Sequence, residues 1–295
     1  KRGWNRIDCD GITLHVLKLP YSNKLSFLSR IRVFLAFALR ATFYGVKLRP
    51  DLVFATSTPL TIGVPGVIIS KIARAPFIFE VRDLWPDIPI AMGIIQSKAA
   101  IFAARVLEKW IYSNAKHVIA LSPGMAEGVA TRSTVPVTVI PNAADLEMFD
   151  GVVDDPFLIR EEDPAFASCK LAVYTGTFGR VNNIDYLVGV AVKLLEINSS
   201  LKILLFGSGS EEAKIRRLAS ARGVLGVNFF MFEPIPKRQL PSLLREATLS
   251  ISTVLPVREL WNNSANKFFD ALAAGLPIAI NHYGWQAEMV EHAHI

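Results

Sequence analysis

The sequence is poor in the residues that usually announce metal, redox or nucleophile chemistry. Its only cysteines are Cys9 and Cys169. Neither has metal-ligand or redox spacing, so a zinc cluster and a dithiol centre are both excluded, and a reducing, cytosolic compartment is the expectation. His15, His117, His282, His292 and His294 are the only histidines, and none pairs with a serine or cysteine. A nucleophile elbow, a phosphate-binding Walker loop and a metal-binding helix motif are missing. So is a G-x-G-x-x-G fingerprint, which leaves a nicotinamide enzyme little support. Signal-peptide features are absent from the start, low-complexity tracts from the whole. The chain opens at Lys1 rather than at methionine, so a longer natural N-terminus is expected. The longest uncharged stretch, Leu52–Ser70, approaches the ~18–20 residues of a membrane span. Pro59 and Pro65 interrupt it, and Thr56, Ser57, Thr58 and Thr61 make it polar. A strand, a loop and a helix fit it better.

Apolar material is abundant. Hydrophobic residues make up 51% of 295 positions, enough for two cores. Net charge is +6, a balance that favours anionic partners such as nucleotide phosphates or an acidic membrane face. Nucleic acid is not expected, because no compact Lys/Arg patch is interleaved with exposed aromatics.

Short β-branched and aliphatic runs predict strands at Ile12–Leu17, Leu52–Thr56, Phe77–Val81, His117–Leu121 and Val137–Ile140. Helices are predicted at Leu25–Val46, Pro65–Ala73, Ser97–Asn114 and Pro123–Thr131. The rhythm repeats with strands at Lys170–Tyr174, Leu201–Phe206, Val227–Met231, Leu249–Thr253 and Pro277–Asn281. The helices between and after them are Ile184–Ile197, Glu211–Arg222, Arg238–Ala247, Asn266–Ala274 and Gln286–His292. Short apolar strands separated by helices mark parallel sheets covered on both faces. The expected fold class is α/β, with two Rossmann-like domains whose parallel sheets face a central cleft. Residues 1–149 form the first, acidic and irregular residues 150–164 a linker, and 165–295 the second.

Five loops can carry chemistry. Tyr174-Thr-Gly-Thr-Phe-Gly179 joins a strand to a helix. Gly176 and Gly179 allow close backbone approach, and the following helix start favours a phosphate; an ordinary turn using glycine for steric reasons reads equally well. Phe206-Gly-Ser-Gly-Ser-Glu211 repeats the arrangement, with Ser210 able to cap its helix, and a well-capped turn explains it too. In Asn263–Pro277, Ser264 or Asn266 can cap the helix. Lys267 lies at the helix start, where a cation is badly placed against the helix dipole unless an anion offsets it; Asp270 follows one turn on. In the first half, Phe79-Glu-Val-Arg-Asp-Leu-Trp-Pro86 delivers Glu80, Arg82 and Asp83 to a strand end, where an Arg82–Asp83 ion pair is the structural alternative. Asn142, in Ile140-Pro-Asn-Ala-Ala-Asp145, can form a plain turn.

Taken in order, these loops resemble the family 4 glycosyltransferases, in particular the bacterial surface-polysaccharide and fucosamine-transferase-like subgroup. The matching text is Ala55–Leu60, Phe79–Pro86, Val139–Asn142, Tyr174–Gly179, Phe206–Gly209, Asn266–Asp270, Gly275–Pro277 and Gly284–Glu288. The resemblance implies a GT-B fold, a retaining transfer, and a nucleotide diphosphate sugar donor held mainly by the second half. It implies a glycan or polyprenyl-diphosphate-linked acceptor on the first half, no cofactor and no required metal. On that reading Gly176, Thr177, Gly179, Arg180, Gly207, Gly209, Asn266 and Lys267 hold the donor, while Asp83, Arg82 and Asp270 serve the chemistry. Where many members carry two Glu eight positions apart, this chain has Asn262 and Asp270. Where many have His before the strand-end Asp, it has Arg82. The family also opens with a strand and a glycine-rich loop and closes with further helices, so a chain longer at both ends is expected.

Two further expectations concern partners and class. Leu25–Val46 carries Phe27, Phe34, Phe37 and Phe43 among Arg30, Arg32 and Arg40. It reads either as a core helix or as a peripheral anchor on the cytoplasmic membrane's inner, anionic face. Rivals to a transferase are a nucleotide-sugar epimerase or hydrolase on the same fold, and a non-catalytic nucleotide-sugar or glycan binding module.

Overall fold

The computed structural model describes residues 3–20, 27–151, 153–197 and 199–293. It divides into two compact units: residues 1–120 with 125–139, and residues 121–124 with 140–295.

The first unit opens with a hairpin of β1 (Trp4–Cys9) and β2 (Ile12–Leu17), paired antiparallel from Trp4–Leu17 to Cys9–Ile12. Ile12–Leu17 was expected to belong to a parallel sheet; it does not. Asp10 (φ 49°) and Gly11 (φ 81°) form the two-residue, left-handed turn that suits strand twist in a hairpin. α1 (Phe27–Leu48) follows, and Trp4 stacks on its Tyr44 at 4.4 Å between ring centres. The Phe27 and Arg30 side chains lie outside the described residues.

The chain then alternates β3 (Val53–Thr56), α2 (Gly63–Ala73), β4 (Phe77–Val81), α3 (Asp87–Ala91), α4 (Lys98–Asn114), β5 (His117–Ala120), α5 (Pro123–Ala130) and β6 (Val137–Val139). The strands form one parallel sheet in the order β3-β4-β5-β6. Val53, Ala55, Phe77, Phe79, Val81, Val118 and Ala120 alternate inward with period two. Gly63 and Gly66 let α2 approach closely: a Cβ at Gly66 would lie 2.6 Å from the Phe77 ring.

The second unit adds α6 (Leu146–Asp150), α7 (Ile159–Glu162), β7 (Lys170–Thr175), α8 (Ile184–Glu196), β8 (Leu201–Phe206) and α9 (Glu212–Ala221). It continues with β9 (Phe229–Phe232), α10 (Leu240–Glu246), β10 (Leu249–Ser252), α11 (Asn266–Ala273), β11 (Ile278–Ile280) and α12 (Trp285–Ala293). Its strands make a parallel sheet ordered β11-β10-β7-β8-β9. Ala172, Tyr174, Ile203 and Leu205 pack under α8 and α9 on one face. Leu171, Val173, Leu204 and Phe206 pack with Phe149, Ile159, Phe166 and α10 on the other. Strands buried on both faces explain why the sequence reads as continuous apolar runs. Chain order reverses at β7, which has β8 on one side and β10 on the other. Such a switch point opens a crevice at the carboxyl ends of the strands.

The boundaries of the predicted elements hold to within about two residues, and two of the largest shifts have local causes. β9 starts at Phe229 because Gly226 (φ 76°) and buried Asn228 make a turn there, with Asn228 Nδ2 donating to Ala191 O. α10 starts at Leu240 behind a 3-10 turn of Lys237–Gln239, with Pro241 in its first turn.

Candidate functional site

The second unit builds its site at the switch point. β7 delivers Thr175 to its end, and Gly176 takes φ 140°, a conformation that suits glycine. Gly176 N donates to Phe206 O (3.0 Å), Phe178 N to Ser208 O (2.9 Å) and Glu211 N to Phe178 O (2.9 Å). The two glycine loops are therefore stitched together. A Cβ at Gly207 would sit 1.8 Å from Gly176 O, and one at Gly209 would sit 2.4 Å from Phe178 O. Both glycines are there because neighbouring backbone occupies the space. Gly179 differs: a Cβ there meets nothing nearer than 3.7 Å. Thr177 O accepts from Tyr174 OH (3.0 Å) and Asn182 Nδ2 (2.7 Å), which fixes the loop from beneath. A hollow of about 270 Å³ opens here, lined by Gly176, Thr177, Phe206, Gly207, Ser208, Pro234 and Ile235.

α11 brings Lys267 to this loop. Its Nζ lies 3.9 Å from the centre of the Tyr174 ring, a cation–π contact, and 3.2 Å from where a Gly176 Cβ would be. Burial pulls the Lys267 pKa down to about 7. Among the described residues no carboxylate pairs with it. Asp270, one turn along, is taken by Lys237, whose Nζ donates to both carboxylate oxygens at 2.5 and 2.6 Å. The Asp270 side chain is only 7% exposed.

The two cap expectations fail. α11 begins at Asn266 with Ala265 as its N-cap, which offers no side-chain bond. Ser264 instead serves Asn142: its Oγ accepts from Asn142 N (3.1 Å), and its carbonyl accepts from Asn142 Nδ2. Asn142 thus ties its own loop to the α11 start rather than making an isolated turn. Asn266 is exposed at the first helical position, where the helix amides have no side-chain acceptor. Ser210 does not cap α9 either; Glu211 holds that position without a side-chain bond. Arg180 is exposed in the 3-10 turn after Gly179, and among the described residues no bond joins it to Lys267.

In the first unit, the end of β4 is braced by the segment after β3. Ser57 N donates to Glu80 O (2.9 Å), Arg82 N to Ser57 Oγ (3.0 Å), and Thr58 Oγ1 to Asp83 Oδ2 (3.0 Å). Thr56 Oγ1 donates to Glu80 Oε2. Arg82 pairs with Glu80 at 3.6 Å, not with Asp83 as the structural alternative had it. Burial raises the Asp83 pKa, only partly offset by the Thr58 hydroxyl and the Arg82 charge. Thr58, Tyr174 and Lys237 were not singled out from sequence. Thr58 and Tyr174 lie inside the motif text, but Lys237 carries no local signal. Among the described residues no group of three or more His, Cys, Asp or Glu side chains clusters as metal ligands would. Among them, too, no helix is long and apolar enough to cross a membrane.

Comparison with known proteins places this geometry. Residues 1–143 match the Glycosyl transferase 4-like domain family, and residues 158–295 match the Glycosyl transferases group 1 family. The chain is 22% identical over 204 residues to the putative colanic acid biosynthesis glycosyl transferase WcaI of Escherichia coli K12. That match covers 67% of this chain and 49% of the relative, so the chain spans about half the length of the curated relative it matches. Sucrose-phosphate synthase of Thermosynechococcus elongatus superposes with a TM-score of 0.70 at 18% identity, over 92% of this chain and 66% of the other. Trehalose-6-phosphate synthase OtsA gives 0.73 at 11%, over 98% and 75%. Anabaena Alr3699/HepE in complex with UDP-glucose gives 0.63 at 16%, over 90% and 68%. These likenesses show the fold: two α/β domains with parallel sheets, of the GT-B type.

Proposed function

We propose that this chain, whose residues 1–143 match the Glycosyl transferase 4-like domain family and residues 158–295 the Glycosyl transferases group 1 family, transfers a sugar from a nucleotide diphosphate donor to a glycan acceptor with retention. The acceptor on this reading is lipid-linked and destined for a surface polysaccharide. The observation that carries the proposal is the placement of Lys267 beneath the Gly176 loop, at an α11 start whose amides have no side-chain cap.

Departure of a nucleoside diphosphate leaves charge on the pyrophosphate oxygens, which must be stabilised for the glycosidic bond to break. Lys267 supplies a cation. The Asn266 and Lys267 amides supply N–H donors at the positive end of the helix dipole. Gly176 and Thr177 form the facing wall, and Gly207 and Gly209 hold that wall against β8. A metal is not needed for this step. Asp270, one turn further along α11, is held by Lys237. In the first unit Asp83 accepts the proton of the acceptor hydroxyl as the new bond forms, with Thr58 and Arg82 orienting and tuning it. Relatives whose names record UDP or UDP-glucose complexes support a nucleotide-sugar donor.

The test is a thermal-shift screen of nucleotide diphosphate sugars, followed by transfer assays with the responders. A donor that raises the Tm and is consumed only with acceptor present supports the proposal. Consumption without acceptor favours an epimerase or hydrolase. Binding with no turnover favours a binding module, and no shift with any nucleotide sinks the donor site itself.

A further inference from the structure

One cluster of charges in the first unit takes no part in the steps above. Asp87, in the first turn of α3, pairs with Arg105 of α4 and with Arg132, which follows α5. The same two guanidiniums also reach Glu108 of α4, Arg105 at 3.4 Å and Arg132 at 3.3 Å. Two carboxylates and two guanidiniums thus alternate in a closed ring. Its acids are withdrawn from water: the side chains of Asp87 and Glu108 are 15% and 1% exposed. Burial raises the Glu108 pKa against the pull of both arginines. It raises that of buried Tyr112 as well, with the Glu108 charge adding to it.

Such a ring is a poor way to gain stability. Desolvating the charges offsets most of what their attraction returns, and apolar side chains of similar volume commonly do as well. What paired forks do supply is fixed geometry, because a guanidinium donates well to a carboxylate in few orientations.

The ring's place in the chain says what is fixed. β4 ends at Val81, and Asp83 stands on the irregular turn between it and α3. α3 holds that turn from one side: Ile88 N donates to Leu84 O (3.0 Å) and Ile90 N to Pro86 O (3.1 Å). Leu84 is buried against α5, where a Cβ on Gly128 would lie 2.7 Å from it. α3 is five residues long, too short to hold a position alone. Asp87, its one charged residue, ties it to α4 and to the end of α5. Asp83 itself accepts a side-chain bond from Thr58 Oγ1, while the Arg82 guanidinium pairs with Glu80. Where the Asp83 carboxylate sits therefore depends on the turn that carries it.

We propose that Asp87, Arg105, Arg132 and Glu108 are positioning residues that hold this turn, keeping Asp83 buried beside Thr58 where it meets the acceptor hydroxyl. The meeting with acceptor rests on the proposed transfer; the placement of Asp83 does not. The ring acts through the backbone rather than through its field: what shifts Asp83 is its burial, the Thr58 hydroxyl and the Arg82 charge.

Carbon-13 NMR of the aspartate carboxyls, with the Asp83 signal assigned by Asp83→Asn, follows that placement without substrate. Wild-type Asp83 is expected to titrate above the ordinary aspartate range. In Asp87→Asn and in Arg105→Gln it should move back toward that range, because a loosened turn lets water reach the carboxylate. Arg105→Gln sets position against field: losing a cation would by itself raise the Asp83 pKa, so a fall is the mark of a moved turn. Ile111→Val, a core change on α4 outside the ring, should lower Tm and leave the Asp83 titration where it is. In transfer assays Asp87→Asn should lower kcat about tenfold or more with UDP affinity unchanged. It should add nothing in the Asp83→Asn background. An Asp83 titration that both ring variants leave at the wild-type value overturns the proposal. So does a kcat loss that adds in full to that of Asp83→Asn. A wild type that binds UDP and transfers no sugar removes the transfer reading alone, because the titration still decides what the ring does.

Discussion

At the end of β4 the protein holds a carboxylate whose surroundings raise its pKa; at the start of α11, beside the end of β7, it holds an ammonium whose surroundings pull its pKa down to about 7. Burial is the main cause in both, but the local answers differ. Asp83 keeps a hydrogen bond from Thr58 and a nearby guanidinium, so its charged form is partly supported. Lys267 has an aromatic face and, among the described residues, no carboxylate, because Lys237 already occupies Asp270. A carboxylate whose pKa burial raises is the better suited to taking a proton. A desolvated cation without a counter-charge is suited to binding an anion. On the proposed function, proton transfer falls to the first unit and leaving-group stabilisation to the second.

The largest effect that can break this contrast is on turnover. Asp83→Asn is expected to lower kcat on the order of 10²–10⁴-fold while leaving the UDP dissociation constant unchanged. Lys267→Ala should do the reverse at equilibrium, weakening UDP binding by about 1.5–3 kcal/mol in calorimetry. If both variants lose the same parameter, the division of labour is wrong. Next in size is a stability contrast inside the second unit. Gly207→Ala forces a Cβ into the Gly176 carbonyl and should cost about 1–3 kcal/mol in denaturant unfolding. Gly179→Ala, with nothing nearer than 3.7 Å, should stay within about 0.5 kcal/mol.

The same two regions show what the sequence made legible. Period-two burial and strand–helix alternation are local signals, and they placed the parallel strands of both sheets. Glycine loops after β7 and β8 were visible because glycine is written in the chain. That they interlock was not, since the Gly176–Phe206 and Phe178–Ser208 bonds depend on strand order. The Lys237–Asp270 pair spans 33 positions and has no motif. The hairpin is not legible although Asp10-Gly11 is a strong turn pair, because the charged Trp4–Cys9 run carries no apolar strand signal. Capping was over-read at Ser210, Ser264 and Asn266. A serine or asparagine near a helix start competes with other partners, and Ser264 is bonded to Asn142 instead.

The most graded effect is the sharpest discriminator, because one lysine should drive two pH slopes of opposite sign. An unfolded lysine titrates near 10.4, whereas Lys267 in the folded protein titrates at about 7. Between those values the unfolded chain binds a proton that the native protein does not. Stability therefore rises with pH across this window, by at most about 1.4 kcal/mol per unit. A Lys267→Met variant lacks the slope, so its stability advantage over wild type should shrink from pH 7 to pH 9. Diphosphate binding runs the other way. The anion favours the ammonium form, so binding takes up a proton above pH 7, and wild-type affinity should fall as the pH climbs. Tm and UDP affinity measured together at pH 7, 8 and 9 in both proteins test this. Should wild-type affinity hold constant while its stability rises, Lys267 is a buried structural lysine and the anion is held by the helix amides alone.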